Sequence, residues 1–179
     1  MSVKIIYFVH GTTTDNIEKL ASGWNQAELS EKGIEQSIAL RKEINFDEID
    51  FVISSDLKRA QDSANYVYEN RKDIFYDSRI RECNYGDFNG KSSELVKYDE
   101  HINNPFPNGE ALVDVEKRVR DFCKYLLEKY DNKTIAIVAH RAPQLALEVI
   151  TKGVSWEEAN TNDWRKTGAW QPGWEYIIK

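Results

Sequence analysis

Two of the chain's three histidines, His10 and His140, stand directly after short apolar runs, Val3 to Val9 and Thr134 to Ala139. Either one alone is most simply read as capping a strand end with a hydrogen bond. Two at corresponding ends point to a shared chemical task. A third run, Phe51 to Ser54, leads into Ser55-Asp56-Leu57-Lys58-Arg59, where Ser55 or Asp56 can cap the helix that follows and Arg59 falls in its first turn. A guanidinium there joins a planar donor fork to the positive end of a helix, which suits it to phosphate; taken alone, Arg59 reads as an ordinary surface charge. Glu82, in Arg81-Glu82-Cys83-Asn84-Tyr85-Gly86, carries no signal by itself. His101 sits beside Asp99 and Glu100 and reads as a solvated surface residue. There is no HExxH or other ligand spacing, so no metal site is expected.

These residues need a scaffold that brings strand ends together. Val3 to Val9 and Thr134 to Ala139 are nearly unbroken runs of β-branched and aromatic residues, as in strands buried on both faces of a parallel sheet. Phe51 to Ser54 and Ile74 to Tyr76 read as weaker strands and Trp174 to Ile178 as a closing one. Between them, Ser30 to Ile44, Leu57 to Asn70, Glu110 to Tyr130 and Pro143 to Thr151 have apolar residues at helical spacing. The alternation predicts an α/β fold, a three-layer sandwich with a mostly parallel central sheet flanked by helices. Such sheets bind ligands beyond the C-terminal ends of their strands, which is where His10, His140 and Arg59 fall. Segment 78–109, with Gly86, Gly90, Pro105, Pro107 and Gly109, predicts a long surface excursion of the kind that builds sites.

The 179 residues fit one domain, read here as 1–179, and no repeat or linker divides them. The longest apolar run, Ile5 to Val9, is far short of the roughly 20 residues that cross a bilayer. Thirty acidic against 24 basic residues give a net charge of -6, which disfavours nucleic acid and anionic membranes as partners and leaves an anionic small molecule open where positive groups converge. Cys83 and Cys123 have no CxxC spacing, and with no apolar leader they predict free thiols in a reducing cytoplasm. No stretch announces an apolar interface, so the oligomeric state stays open.

Six blocks in chain order resemble the histidine phosphatase superfamily, whose fold is shared with the cofactor-dependent phosphoglycerate mutases and the acid phosphatases. The family's Arg-His-Gly-x-Thr corresponds to Val9-His10-Gly11-Thr12-Thr13 with Asn16 after it, and its helix start to Leu29-Ser30-Glu31-Lys32-Gly33 with Gln36. Ser54 to Ala60 with Ala64, Glu82 with Gly86 and Gly90, Asn108-Gly109-Glu110 with Arg118-Val119, and Val138-Ala139-His140 supply the others.

The resemblance implies a phosphoglycerate mutase-like fold and a two-step phosphoryl transfer that needs no metal or cofactor. Neutral His10 would attack phosphorus and water would cleave the phosphohistidine, while Glu82 protonates the leaving oxygen and later deprotonates the water. Arg59 and His140, with Gly11, Thr13 and Asn16, would contact the phosphoryl group of a phosphorylated small molecule. Val9 departs from the pattern, since the family has an arginine there that grips the same phosphate. Arg141 is the first candidate to replace that charge, with Arg79, Arg81 and Arg165 behind it. The expected activity is a phosphomonoester phosphatase of unspecified substrate. A weak or inactive phospho-ligand binding module is the alternative, and a mutase is disfavoured because those relatives usually carry extra segments. Trp156, Trp164, Trp170 and Trp174 are expected to pack the tail, whereas Trp24 follows His10 closely enough to wall the site.

Overall fold

The apolar runs pair with one another as strands. A computed structural model describes residues 1–69, 71, 73–167 and 173–179. Its elements run β1 (Val3–Val9), α1 (Thr14–Ile17), β2 (Leu20–Ala21), α2 (Glu31–Arg41), β3 (Phe51–Ser54), α3 (Lys58–Val67), β4 (Ile74–Tyr76), β5 (Lys91–Ser92), α4 (Leu112–Lys129), β6 (Thr134–Ala139), α5 (Arg141–Lys152), α6 (Trp156–Thr161), α7 (Trp164–Thr167) and β7 (Trp174–Ile178).

The main sheet has the order β4-β3-β6-β1-β7. The first four strands are parallel, and β7 closes the edge antiparallel to β1. Central β6 is buried from Ile135 to Ala139, which explains its unbroken apolar sequence. On one face, Val3, Ile5, Tyr7, Ile135 and Ile137 pack with Val115, Val119 and Phe122 of α4 and Leu145 and Ala146 of α5. On the other, Val52, Ala136 and Val138 pack with Ala64 and Val67 of α3, with Leu40 of α2 against them. Helices on both faces give the three-layer sandwich. Both cysteines are free and buried. Among the described residues no helix is long and apolar enough to cross a membrane.

Strand register assembles the C-terminal edge. Val9 pairs with Ala139 and Ser54 with Val138, so His10, His140 and Ser55 emerge side by side. Beyond β4, the Asp77 N–H donates to the Ser54 carbonyl and the chain turns toward Glu82.

Several boundaries differ from expectation. Helix α2 ends at Arg41 rather than Ile44, and α3 at Val67; Asn70, where α3 was expected to end, lies outside the described residues. Helix α5 begins at Arg141, two residues before Pro143, because proline's missing N–H is tolerated in a first helical turn. Helices α6 and α7 occupy a tail where no element is expected. Neither Ser55 nor Asp56 caps α3, whose N-cap is Leu57 without a side-chain bond. Asp56 instead pairs with Arg81 at 2.7 and 2.6 Å. His101 is half-buried and stacked on Phe106 at 3.8 Å rather than solvated.

Candidate active site

The loop carrying His10 is fastened to the start of α2. Gln36 Oε1 accepts both the N–H and the hydroxyl of Thr12 at 2.9 Å. Ser30 Oγ donates to the Thr12 carbonyl at 2.9 Å and accepts the Gly33 N–H, capping α2. A Cβ on Gly33 would lie 2.0 Å from the Thr12 carbonyl oxygen, and one on Gly11 2.3 Å from that of Gly33. Only glycine at both positions lets the backbones approach this closely. The Gly11 N–H is held by Ser63 Oγ at 2.9 Å.

This anchoring fixes the His10 tautomer. His10 Nδ1 lies 2.7 Å from the Gly11 carbonyl oxygen, and since a carbonyl can only accept, Nδ1 carries the proton. Nε2 therefore holds the lone pair, and it accepts from Arg59 Nε at 3.3 Å. Burial first, and then the positive charge of Arg59, lowers the His10 pKa to about 3, so the ring is neutral at ordinary pH. Arg59 is 2% exposed and immobilised, with Nη1 donating to the Asn25 carbonyl at 3.0 Å and Nη2 to that of Gly23 at 2.8 Å.

His140 lies beside His10, with ring centroids 5.1 Å apart. Its backbone is clasped by Tyr7, whose hydroxyl donates to the His140 carbonyl at 2.7 Å and accepts its N–H at 3.1 Å. Nε2 meets Ser55 Oγ at 2.9 Å, while Nδ1 is buried without a partner among the described residues. Burial, followed by the charge of Arg59, pushes the His140 pKa well below the ordinary value.

Glu82 reaches the same edge from the irregular segment. Its Oε1 accepts the N–H groups of Cys83 at 2.8 Å and Ala142 at 3.0 Å, and its Oε2 that of Arg141 at 3.3 Å. Its carboxylate thus sits on the unpaired donors of the first turn of α5. Arg118 holds the Glu82 backbone by donating to the carbonyls of Arg79, Arg81 and Glu82 at 2.7 to 2.9 Å while pairing with Glu110. The Asn108-Gly109-Glu110 block with Arg118 is therefore a brace for this segment.

His10, Gly11, Asn16, Arg59, Glu82 and Arg141 line one cavity of about 490 Å³. Asn16 Oδ1 is committed to the Thr13 N–H, which leaves its amide N–H groups for a ligand. Thr13 is a correction: it is fully buried, its hydroxyl accepts the Asn16 N–H, and it caps α1 instead of facing the cavity. Arg141 is on the wall, but Nε is bound to Asp163 at 2.6 Å, Nη2 to Asn160 at 3.1 Å, and the guanidinium covers the Tyr98 ring. Val9 lines the same cavity and brings no charge to it.

The tail supplies Asp163, which the sequence alone does not single out, together with Arg165, one of the reserve candidates for the missing charge. Asp163, with a side chain 0% exposed, binds Arg165 through Oδ1 at 2.9 Å and Arg141 through Oδ2 at 2.6 Å. Burial would raise its pKa, yet the charges of Arg165 and Arg141 hold it below the usual carboxylate value. Trp164 and Arg165 both line the cavity. The expectation that Trp164 merely packs the tail is thereby corrected, whereas Trp156 is buried in the core and Trp174 packs edge-on to Tyr7. Trp170 lies outside the described residues. Trp24 supports the site rather than walling it: its Nε1 donates to the Glu82 carbonyl at 2.8 Å beneath the Arg81 guanidinium. An Asn-Asp-Trp-Arg stretch before a short helix was the one available signal for this corner, since Asp there caps by binding the N–H two residues on.

The chain is 29% identical over 163 residues to phosphoserine phosphatase 1 of Hydrogenobacter thermophilus, covering 85% of this chain and 77% of that protein. It is 27% identical over 176 residues to the 2,3-bisphosphoglycerate-dependent phosphoglycerate mutase of Bartonella tribocorum, covering 88% and 85% respectively. The solved structure of Bacillus stearothermophilus YhfR superposes with a TM-score of 0.82 at 24% identity, over 99% of this chain and 91% of that one, and so shares the fold. The profile of the histidine phosphatase superfamily, branch 1, matches residues 6–171, and with His10, Arg59, Glu82 and His140 gathered at one sheet edge the chain belongs to that superfamily.

Proposed function

We propose that the chain hydrolyses a phosphomonoester of a small molecule through a phosphohistidine on His10, without a metal or other cofactor. The observation that carries this reading is the His10 tautomer, with Nδ1–H on the Gly11 carbonyl and the lone pair of Nε2 beside Arg59. Nε2 attacks phosphorus in line as the bond to the leaving oxygen breaks, and Glu82 gives that oxygen its proton. Glu82 then takes a proton from water, whose oxygen attacks phosphorus as the P–N bond breaks, releasing inorganic phosphate and neutral His10.

Arg59, Asn16 and His140 hold the phosphoryl oxygens, with Gly11 shaping the loop and Arg141 adding charge from the wall. A Ser55 hydroxyl donating to His140 Nε2 leaves the proton on Nδ1, which has no partner among the described residues and is thus the donor available to a phosphoryl oxygen. Among the relatives, phosphoserine phosphatase 1 is named for the same kind of hydrolysis.

Val9 favours a second reading, a module that retains a phospho-ligand and turns it over weakly or not at all, because an apolar side chain stands at the cavity where a charge would assist. Phosphate release from a panel of phosphomonoesters in EDTA, by the native chain and His10→Ala, separates the two. Turnover that persists in EDTA and vanishes in the variant is the expected result. Binding without His10-dependent release establishes the second reading.

A further inference from the structure

A phosphoryl group arriving at His10 carries about two negative charges, and the one guanidinium bonded to His10 is Arg59, opposed by Glu82. With Val9 apolar, the edge of the cavity is short of positive charge for such a dianion. The tail provides it. Arg141 and Arg165 share the single carboxylate of Asp163, so the trio has a surplus of one positive charge on the cavity wall.

The two arginines are not equivalent. Arg141 gives Nε to Asp163 and Nη2 to Asn160 and lies over the face of Tyr98. Arg165 donates Nη1 to Asp163, and its guanidinium lies 4.8 Å from the Trp164 ring centre and 5.8 Å from that of Trp174, which orders it in advance. Its Nη2 is shielded from solvent and has no hydrogen-bond partner among the described residues. Two buried nitrogens, His140 Nδ1 and Arg165 Nη2, thus lack acceptors among the described residues, and a bound dianion offers acceptors to such donors. The charge of Arg165 is also felt at His10, where it adds to the effects of burial and Arg59.

We propose that Arg165, tethered by Asp163, is a phosphoryl-binding residue that supplies from the C-terminal tail the second guanidinium of the site. This rests on the phosphoryl-transfer reading given above.

The test is calorimetric titration of inorganic phosphate into the native chain, Arg165→Gln, Arg165→Ala and Arg165→Lys, with circular dichroism to verify folding. It is paired with kcat/KM on p-nitrophenyl phosphate and on a phosphomonoester bearing a carboxylate. Arg165→Gln and Arg165→Ala are expected to weaken phosphate binding roughly 10- to 100-fold, the value of a charge-assisted hydrogen bond, with equal losses of kcat/KM on both substrates. Arg165→Lys restores part of the affinity. Phosphate affinity in a folded Arg165→Gln chain within about twofold of native overturns the proposal. So does a loss confined to the carboxylate-bearing substrate, which assigns Arg165 to the leaving group. If the native chain binds no phosphate, the phosphoryl-transfer reading falls together with the role of Arg165; if it binds and the substitutions change nothing, only Arg165 is removed.

Discussion

Glu82 caps the helix that His140 begins: its Oε1 accepts the N–H of Ala142 at 3.0 Å, two residues beyond His140. The carboxyl group and the second histidine of the site are therefore fixed to each other by one helical turn. Displacing either moves the other.

Glu82→Gln keeps an acceptor for Cys83 and Ala142 but removes the exchangeable proton. On p-nitrophenyl phosphate, whose leaving group needs little protonation, His10 is still phosphorylated, while the hydrolytic step slows by roughly 10²- to 10⁴-fold. A burst of nitrophenol with accumulation of acid-labile, protein-bound phosphate in rapid-quench samples is the expected signature. Steady turnover without a burst contradicts the assignment of Glu82 to the second step.

The depressed pKa values of His10 and His140 make two statements about pH. His10 is unprotonated until about pH 3, so kcat/KM has no inflection from this nucleophile at the ordinary histidine value of 6.5. In the unfolded chain both rings bind a proton near that value, whereas the folded state refuses it. Their contribution to stability is complete above pH 6.5 and is lost progressively as pH falls below it, for His10 down to about pH 3. Urea unfolding measured across this window shows the slope, and His10→Asn makes it shallower.

Gly33→Ala places a methyl group 2.0 Å from the Thr12 carbonyl oxygen, a backbone atom that cannot rotate aside. Overpacking of this kind destabilises by about 1 to 3 kcal/mol, and relief comes only by shifting the His10 loop. A fall in kcat together with a lower urea midpoint is expected. Native kinetics in a folded Gly33→Ala protein would show that the loop and α2 are not coupled.

Arg118→Lys retains a positive charge near Glu110 but lacks the fork that bonds the carbonyls of Arg79, Arg81 and Glu82 and a carboxylate. The part-buried carbonyls of Arg79 and Arg81 lose this donor, at up to about 1 to 3 kcal/mol each for a group left unsatisfied, so chemical denaturation detects a loss. Because Arg118 supports Glu82 without touching the cavity, kcat falls more than KM changes.

Much of this was legible in the sequence, for identifiable reasons. β1 and β6 are buried on both faces, so their composition announces strands, and the residues after them must share an edge. The role of Thr13 was not legible, because a threonine that caps α1 and one that faces a ligand have the same spacing. His101 misled for a similar reason: its neighbours Asp99 and Glu100 are polar, but its stacking partner Phe106 comes from a later turn. Helix α6 was not read, although Ser155 and Glu158 carry a cap signal, Ser155 Oγ accepting the Glu158 N–H. The pairing of Asp163 with Arg141 joins a tail residue to the start of α5, and no local pattern encodes that contact.

The clasp between Tyr7 and His140 joins residues 133 positions apart in the chain. Contacts of such sequence separation form slowly, because the intervening segment must first be ordered. The site therefore has no complete form confined to the first half of the polypeptide: a nascent chain that has not yet delivered β6 contains His10, Arg59 and Glu82 but not His140. Recovery of phosphate binding during refolding would time the docking of β6 beside β1, which makes the ligand a reporter of long-range sheet assembly.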